Sequence, residues 1–193
     1  MDRELRDEMK NEMELTFDAI SSNEGLARVA VAAFVSRVNP TMEELSDVKT
    51  AVSEAVTNAI IHGYGNLEGY ERHGRGVSAA GVVQAMEQGR GLPTAGEIRA
   101  TETGRRGKVR MQCRLEHGVL NVLIEDRGKG MEDVGKAMEP LYTTRPDLER
   151  SGMGFSFMEA FMDDLQVESA PGVGTIVRMQ KKMTSGPWIP REE

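Results

Sequence analysis

The sequence predicts one α+β domain in which helices alternate with hairpin-forming strands. Three observations predict it. The chain of 193 residues has room for one full core and not for two. Two long stretches, residues 24–34 and 41–64, repeat apolar residues at three- and four-residue steps, the helical period. Two later stretches, 108–126 and 165–180, set strand-like runs on either side of a glycine-containing turn, which is the pattern of hairpins.

Composition narrows the class. With 39% hydrophobic and 28% charged residues the chain reads as a soluble globular protein. A net charge of -7 argues against sequence-independent binding to nucleic acid or to an anionic membrane, which needs a basic face. The one cysteine, Cys113, cannot form an internal disulfide and falls in an alternating run, where a buried structural thiol is expected. No apolar run is long enough to span a bilayer, and the charged N-terminus has no apolar signal core, so a cytoplasmic protein is expected.

Taken in order, residues 1–11 are polar with mixed charge and read as a flexible extension. Met13, Leu15 and Phe17 alternate with polar residues, a half-buried strand. Ser21 and Glu24 form a capping-box signature ahead of a helix whose apolar face would hold Leu26, Val29, Ala30, Ala33 and Phe34. Arg28 falls off that stripe, as an ordinary surface arginine or a partner contact. Pro40 restricts Asn39 to extended backbone and ends the helix. Thr41 and Glu44 form a second capping box, opening the long helix 41–64 with its stripe of Leu45, Val48, Val52, Ala55, Val56, Ala59 and Ile60. Glu54 and Asn58 lie four apart on a flank of that stripe. A solvated pair is the commoner meaning of such spacing; a proton acceptor beside a cation ligand is the alternative. His62 lies one turn beyond Asn58, as a capping or packing histidine or a ligand contact. Glycine at 63 and 65 stops the helix.

Residues 65–106 are rich in Gly and Arg, hold a period only at 79–88, and read as a disordered insertion. Residues 108–126 form a hairpin through Glu116, His117 and Gly118, its second strand apolar enough to be well buried. Residues 131–151 resemble a lid. A helix then opens at Gly152 and Gly154, with Phe157, Met158, Phe161 and Leu165 on its apolar face, and a hairpin turns at residues 171–174. The tail from 184 is read as flexible, and Trp188 within it has no assigned role.

Four short signals carry chemistry through their order: Glu54-x-x-x-Asn58, Asp126-x-Gly128-x-Gly130, Gly152-x-Gly154, and Gly172-x-Gly174-Thr175. Each is weak alone. Together they describe one site. An aspartate at a strand end accepts a hydrogen bond from the exocyclic amine of adenine, glycines let a flat base approach the backbone, and a threonine hydroxyl completes the polar edge. Glycines at a helix start expose N–H groups to phosphates. Asn58 would offer Mg²⁺ an oxygen, and Glu54 would take a proton from an attacking hydroxyl or water.

The ordered set resembles the GHKL superfamily of ATP-binding domains. The stretches NEGLARVAVAAF, NPTMEEL, VSEAVTNAIIHGY, PLYTTRPDLERSGMGF and MEAFMDDLQVESAPGVGT more closely resemble the anti-sigma F factor family of sporulation regulators. The likeness runs from about Met9 to Met183 and skips the insertion, which that family replaces with a few residues. It implies an α/β (α+β) two-layer sandwich, the Bergerat ATP-binding fold, with a mixed, mostly antiparallel sheet on helices. One such domain would span 12–183. It implies ATP and Mg²⁺ as cofactors, a homodimer, inhibition of sporulation sigma factor F, and phosphorylation of a serine on an anti-anti-sigma factor. By matched position, Glu54 is the general base and Asn58 the Mg²⁺ ligand. Asp126, Gly128, Gly130 and Thr175 serve the adenine end. Gly152 and Gly154 contact the phosphates, Thr144 and Met153 are further nucleotide-binding positions, and the lid 131–151 closes over the nucleotide. Arg28 contacts both protein partners.

Rival readings have specific requirements. A histidine-kinase catalytic domain would need an upstream helical hairpin bearing a phosphoacceptor histidine, and few residues precede Met13. An ATP-driven clamp would need a transducer domain after the site, and a short tail follows Met183. A nucleotide-gated binding protein, with this or another sigma partner, would need no base, and the intact Glu54 weighs against it.

Overall fold

A computed structural model describes residues 10–65, 107–139 and 153–184. The expectations for residues 1–9, the insertion with its helical patch at 79–88, Thr144, Gly152, most of the lid and the tail lie outside these. The strands are β1 (Asn11–Asp18), β2 (Lys108–Glu116), β3 (Val119–Asp126), β4 (Asp164–Ala170) and β5 (Gly174–Lys182). They form one five-stranded sheet in the order β1-β2-β3-β5-β4. Every pair is antiparallel, so the mixed sheet that was expected has no parallel pair among the described strands. β1 starts at Asn11, inside the stretch read as an extension.

His117 and Gly118 close the β2–β3 hairpin, both at positive φ (52° and 76°). Two positive-φ residues give the turn whose twist matches the strands it joins. Alternation along β2 buries Val109, Met111, Cys113 and Leu115 on one face. Burial pushes the Cys113 thiol up to about 12, which leaves it an inert core group. β3 departs from expectation. Only its alternate residues, Leu120, Val122, Ile124 and Asp126, are buried, because no described element covers the other face of the sheet.

The helices lie on the buried face: α1 (Ser22–Val35), α2 (Met42–Asn58), the single turn α3 (Val134–Ala137) and α4 (Gly154–Phe161). α2 packs between α1 and α4. Val48, Val52, Ala55, Val56, Ala59 and Ile60 are buried along it as the spacing predicts, and Leu45 packs against the core's edge. Each such fully buried valine contributes about 1.5–3 kcal/mol. α1 turns a different face inward. Ala27, Val31, Phe34 and Val35 are buried, whereas Leu26 and Val29 stay 50% and 67% exposed. The helix thus seats its smaller residue, Ala27, where a bulkier pattern would centre on Leu26. α4 ends at Phe161. Leu165, expected on its face, belongs to β4, and Met162 fills the core position instead.

The two capping boxes have different fates. At α2, Thr41 Oγ1 accepts the Glu44 N–H at 3.1 Å and the Glu44 carboxylate accepts the Thr41 N–H at 2.8 Å. Glu44 is buried, and its other oxygen accepts from the N–H and hydroxyl of Thr184, at 2.6 and 2.7 Å. The carboxylate therefore ties the end of β5 to the start of α2. Lys181 adds a second tie, donating to Asp47 at 2.8 Å and to the Phe161 carbonyl at 2.6 Å. At α1 the Ser21 side chain makes no cap bond: Ser21 is itself in the helical conformation (φ -58°, ψ -31°), and its carbonyl accepts the Glu24 N–H at 3.3 Å. The Glu24 carboxylate is held by Arg28 and Ser53. Asn39 is also not extended. It takes the left-handed conformation (φ 50°, ψ 56°), which asparagine tolerates, and ends the chain's turn there.

Candidate functional site

α2 changes pitch directly after Asn58. Residues Ala59–Gly63 form a π-helical turn, a form that recurs at functional sites. The start of α4 closes on the helix just before that turn. A Cβ placed on Gly154 would stand 3.2 Å from both side-chain polar atoms of Asn58 and 3.2 Å from Glu54 Oε2. The fold thus brings Glu54, Asn58 and the N-terminus of α4, capped at Met153, to one point. Asn58 Oδ1 is buried and has no hydrogen-bond partner among the described residues. A neutral, desolvated oxygen with no donor fits a hard cation such as Mg²⁺, which takes few protein ligands.

A second cluster forms where β3 ends. The strand register sets Asp126 opposite Thr175 and Ile124 opposite Val177, so two apolar residues floor the cleft beside two polar ones. Asp126 Oδ1 accepts the Gly128 N–H at 2.8 Å. Burial pushes the Asp126 carboxyl from 3.8 up to about 6, against the pull of backbone N–H bonds from Gly128 and Thr175. Backbone packs on backbone around it. A Cβ on Gly130 would stand 2.0 Å from the Ala170 carbonyl, and one on Gly128 2.2 Å from that of Gly63, so neither position admits a side chain. Ser169 orders the far wall: its hydroxyl accepts from the Met131 N–H at 2.9 Å and lies 3.0 Å from Thr175 Oγ1.

Both clusters open onto one cleft of about 670 Å³, lined among others by Asn58, Asp126, Gly130, Gly154 and Thr175. That volume is in the range of small-molecule and cofactor sites. A family profile described as "Histidine kinase-like ATPase domain" matches residues 19–93 and 97–181, which takes in both clusters. The chain is 47% identical over 175 residues to the "Anti-sigma F factor" of Clostridium novyi (strain NT), covering 91% of this chain and 96% of that one. It is 43% identical over 177 residues to the "Anti-sigma F factor" of Bacillus subtilis (strain 168), covering 91% and 95%. This chain belongs to the anti-sigma F factor family. Its fold is also that of a solved structure of the RsbU and RsbW domains of Rv1364c from Mycobacterium tuberculosis, with a TM-score of 0.52 at 15% identity, over 92% of this chain and 33% of that one.

Within this anti-sigma factor the expected site residues fall into four groups. Asn58, Asp126, Gly130, Gly154 and Thr175 line the cleft, and Glu54 touches its edge through Gly154. Gly128 and Met153 adjoin the cleft without lining it: Gly128 donates its N–H to Asp126, and Met153 is the cap position of α4. Thr144 and Gly152 lie outside the described residues. Arg28 stands apart on α1, where it donates to Glu24 at 2.9 Å and to Ser53 at 2.9 Å. Sequence reasoning missed Lys129 and Lys136, the cations lining the cleft, and the walls Ile124, Phe155 and Val177. Lys129 sits inside the Asp126–Gly130 motif and was legible there. Lys136 enters through α3, capped by Asp133 Oδ1 at 2.9 Å, which no motif announced. No helix among the described residues is long and apolar enough to cross a membrane.

Proposed function

We propose that this anti-sigma factor binds ATP with Mg²⁺ in the cleft and transfers the γ-phosphoryl group to a serine of an anti-anti-sigma factor. In the alternative complex it holds sporulation sigma factor F inactive. It acts as a cytoplasmic homodimer through a single domain over residues 12–183, interrupted by the insertion at 65–106. The observation that carries this reading is the meeting of Glu54, Asn58 and the α4 N-terminus at one end of a cleft whose other end is the Asp126–Thr175 pair.

Each residue has a task in this account. Asp126 and Thr175 hold the adenine edge. The N–H groups opening α4 face the phosphates, where the helix dipole favours negative charge. Asn58 Oδ1 would ligate Mg²⁺, which when bound offsets charge on the phosphates. Glu54 orients the serine hydroxyl and accepts its proton as the serine oxygen bonds to the γ-phosphorus and the bond to ADP breaks. Arg28, on the exposed side of the α1–α2 junction, meets the protein partners. Nucleotide-dependent pull-down tests the switch. Immobilised protein should retain sigma factor F better with Mg²⁺-ATP than with ADP, and equal retention with ATP, ADP and no nucleotide would contradict the proposal.

A further inference from the structure

We infer that Tyr64, the residue that ends α2's π-helical turn, is a positioning residue that sets the adenine-recognition loop. The inference rests on the assignment of Asp126 to adenine. The β2–β3 ladder runs in register to Val109 and Asp126. Its next rung would join Lys108 to Arg127. The Tyr64 hydroxyl occupies that rung: it accepts the Arg127 N–H at 2.8 Å and donates to the Lys108 carbonyl at 2.7 Å. Interposing one oxygen between the two backbone groups splays the strands there. It frees residues 127–130 to turn toward the cleft instead of continuing the sheet.

The phenol is itself held in place. Its ring lies on Gly107 so closely that a Cβ there would stand 2.4 Å from the ring. Gly107 is fixed in turn, since its carbonyl accepts the Ala19 N–H at 2.8 Å. One residue earlier, the Gly63 carbonyl accepts the Lys129 N–H at 2.9 Å, and a Cβ on Gly63 would stand 2.7 Å from Asp126 Oδ1. The end of α2 therefore grips the loop at two alternate backbone N–H groups, 127 and 129. The Gly128 N–H between them is left to point at Asp126 Oδ1.

Tyr64→Phe keeps the ring on Gly107 and removes only the bridge. Of the two bonds lost, the one from the Arg127 N–H holds the loop, and one hydrogen bond of ordinary strength corresponds to an ATP Kd raised about fivefold. Calorimetric titration of the full chain with Mg²⁺-ATP, in two double-mutant cycles, provides the test. Because Tyr64 acts through the Asp126 loop, Tyr64→Phe should add little to the loss caused by Asp126→Asn. It should add fully to the loss caused by Asn58→Ala at the metal end. A wild-type Kd for Tyr64→Phe, or full additivity with Asp126→Asn, would overturn the inference. If Asp126→Asn itself leaves ATP affinity unchanged, the adenine assignment fails, whatever Tyr64→Phe does.

Discussion

Replacing Asp126 by asparagine should weaken ATP binding and yet stabilise the nucleotide-free protein at alkaline pH. Burial raises the Asp126 carboxyl from 3.8 to about 6. The folded value lies above the unfolded one, so the group's favourable contribution is complete below about pH 4 and is lost as pH rises through 6. At pH 8 the charged form therefore costs on the order of 3 kcal/mol of folding free energy. Asparagine is neutral at every pH but has one acceptor oxygen where the carboxylate has two. It leaves one of the N–H groups of Gly128 and Thr175 without its partner, at a cost of about 1–2 kcal/mol. The net gain is roughly 1–2 kcal/mol at pH 8, a rise of about 2–8 °C in Tm. It should shrink on acidification, cross zero at about pH 5 and be reversed by pH 4, where the wild-type carboxyl is also neutral in the folded protein. Adenine should meanwhile lose a charge-assisted hydrogen bond, about tenfold or more in Kd. Thermal melts of both proteins without nucleotide from pH 4 to 8, with ATP titrations at pH 8, read both effects. A variant less stable than wild type by the same margin at both ends of that range would refute the reasoning.

Three further outcomes follow from the same structure. Arg28→Glu places a like charge four residues from Glu24 and should loosen the sigma-factor complex by tenfold or more in a binding titration, whereas unchanged affinity would make Arg28 an ordinary surface residue. Glu44→Ala removes the capping box and strips both Thr184 donors of their acceptor, so urea unfolding should report a loss of about 2–4 kcal/mol. Deleting residues 65–106 should leave ATP affinity unchanged by calorimetry, since both clusters are built from residues outside that segment, and a clear loss of affinity would contradict this.

Local periodicity carried much of the fold. Val109 to Leu115 alternate into the core, and the Thr41–Glu44 box opens α2, because both depend on neighbours in sequence. Where tertiary contacts competed with local signals, the sequence misled. Ser21 and Glu24 look like a cap, but Ser21 is already helical, and the Glu24 carboxylate is claimed by Ser53 across the helix junction and by Arg28 one turn on. Leu26 and Val29 are the larger apolar residues of α1, yet the packed strip centres on Ala27 and Val31. β3 reads as a well-buried strand, yet only alternate residues of it are buried. The site was legible as motifs and not as geometry. The spacing of Glu54 and Asn58 places them on one flank, but nothing local says that Gly154 comes to rest against both. Nor does any spacing announce that the Tyr64 hydroxyl takes the place of a rung in the β2–β3 ladder.

The most direct test of the central claim is phosphoryl transfer from labelled Mg²⁺-ATP to the anti-anti-sigma factor, run with wild-type protein and with Glu54→Ala. The account predicts label on a serine of that partner with wild-type protein, and no transfer by Glu54→Ala although it still binds ATP and sigma factor F. Release of free phosphate without phosphoserine, or transfer at the wild-type rate by Glu54→Ala, would contradict it.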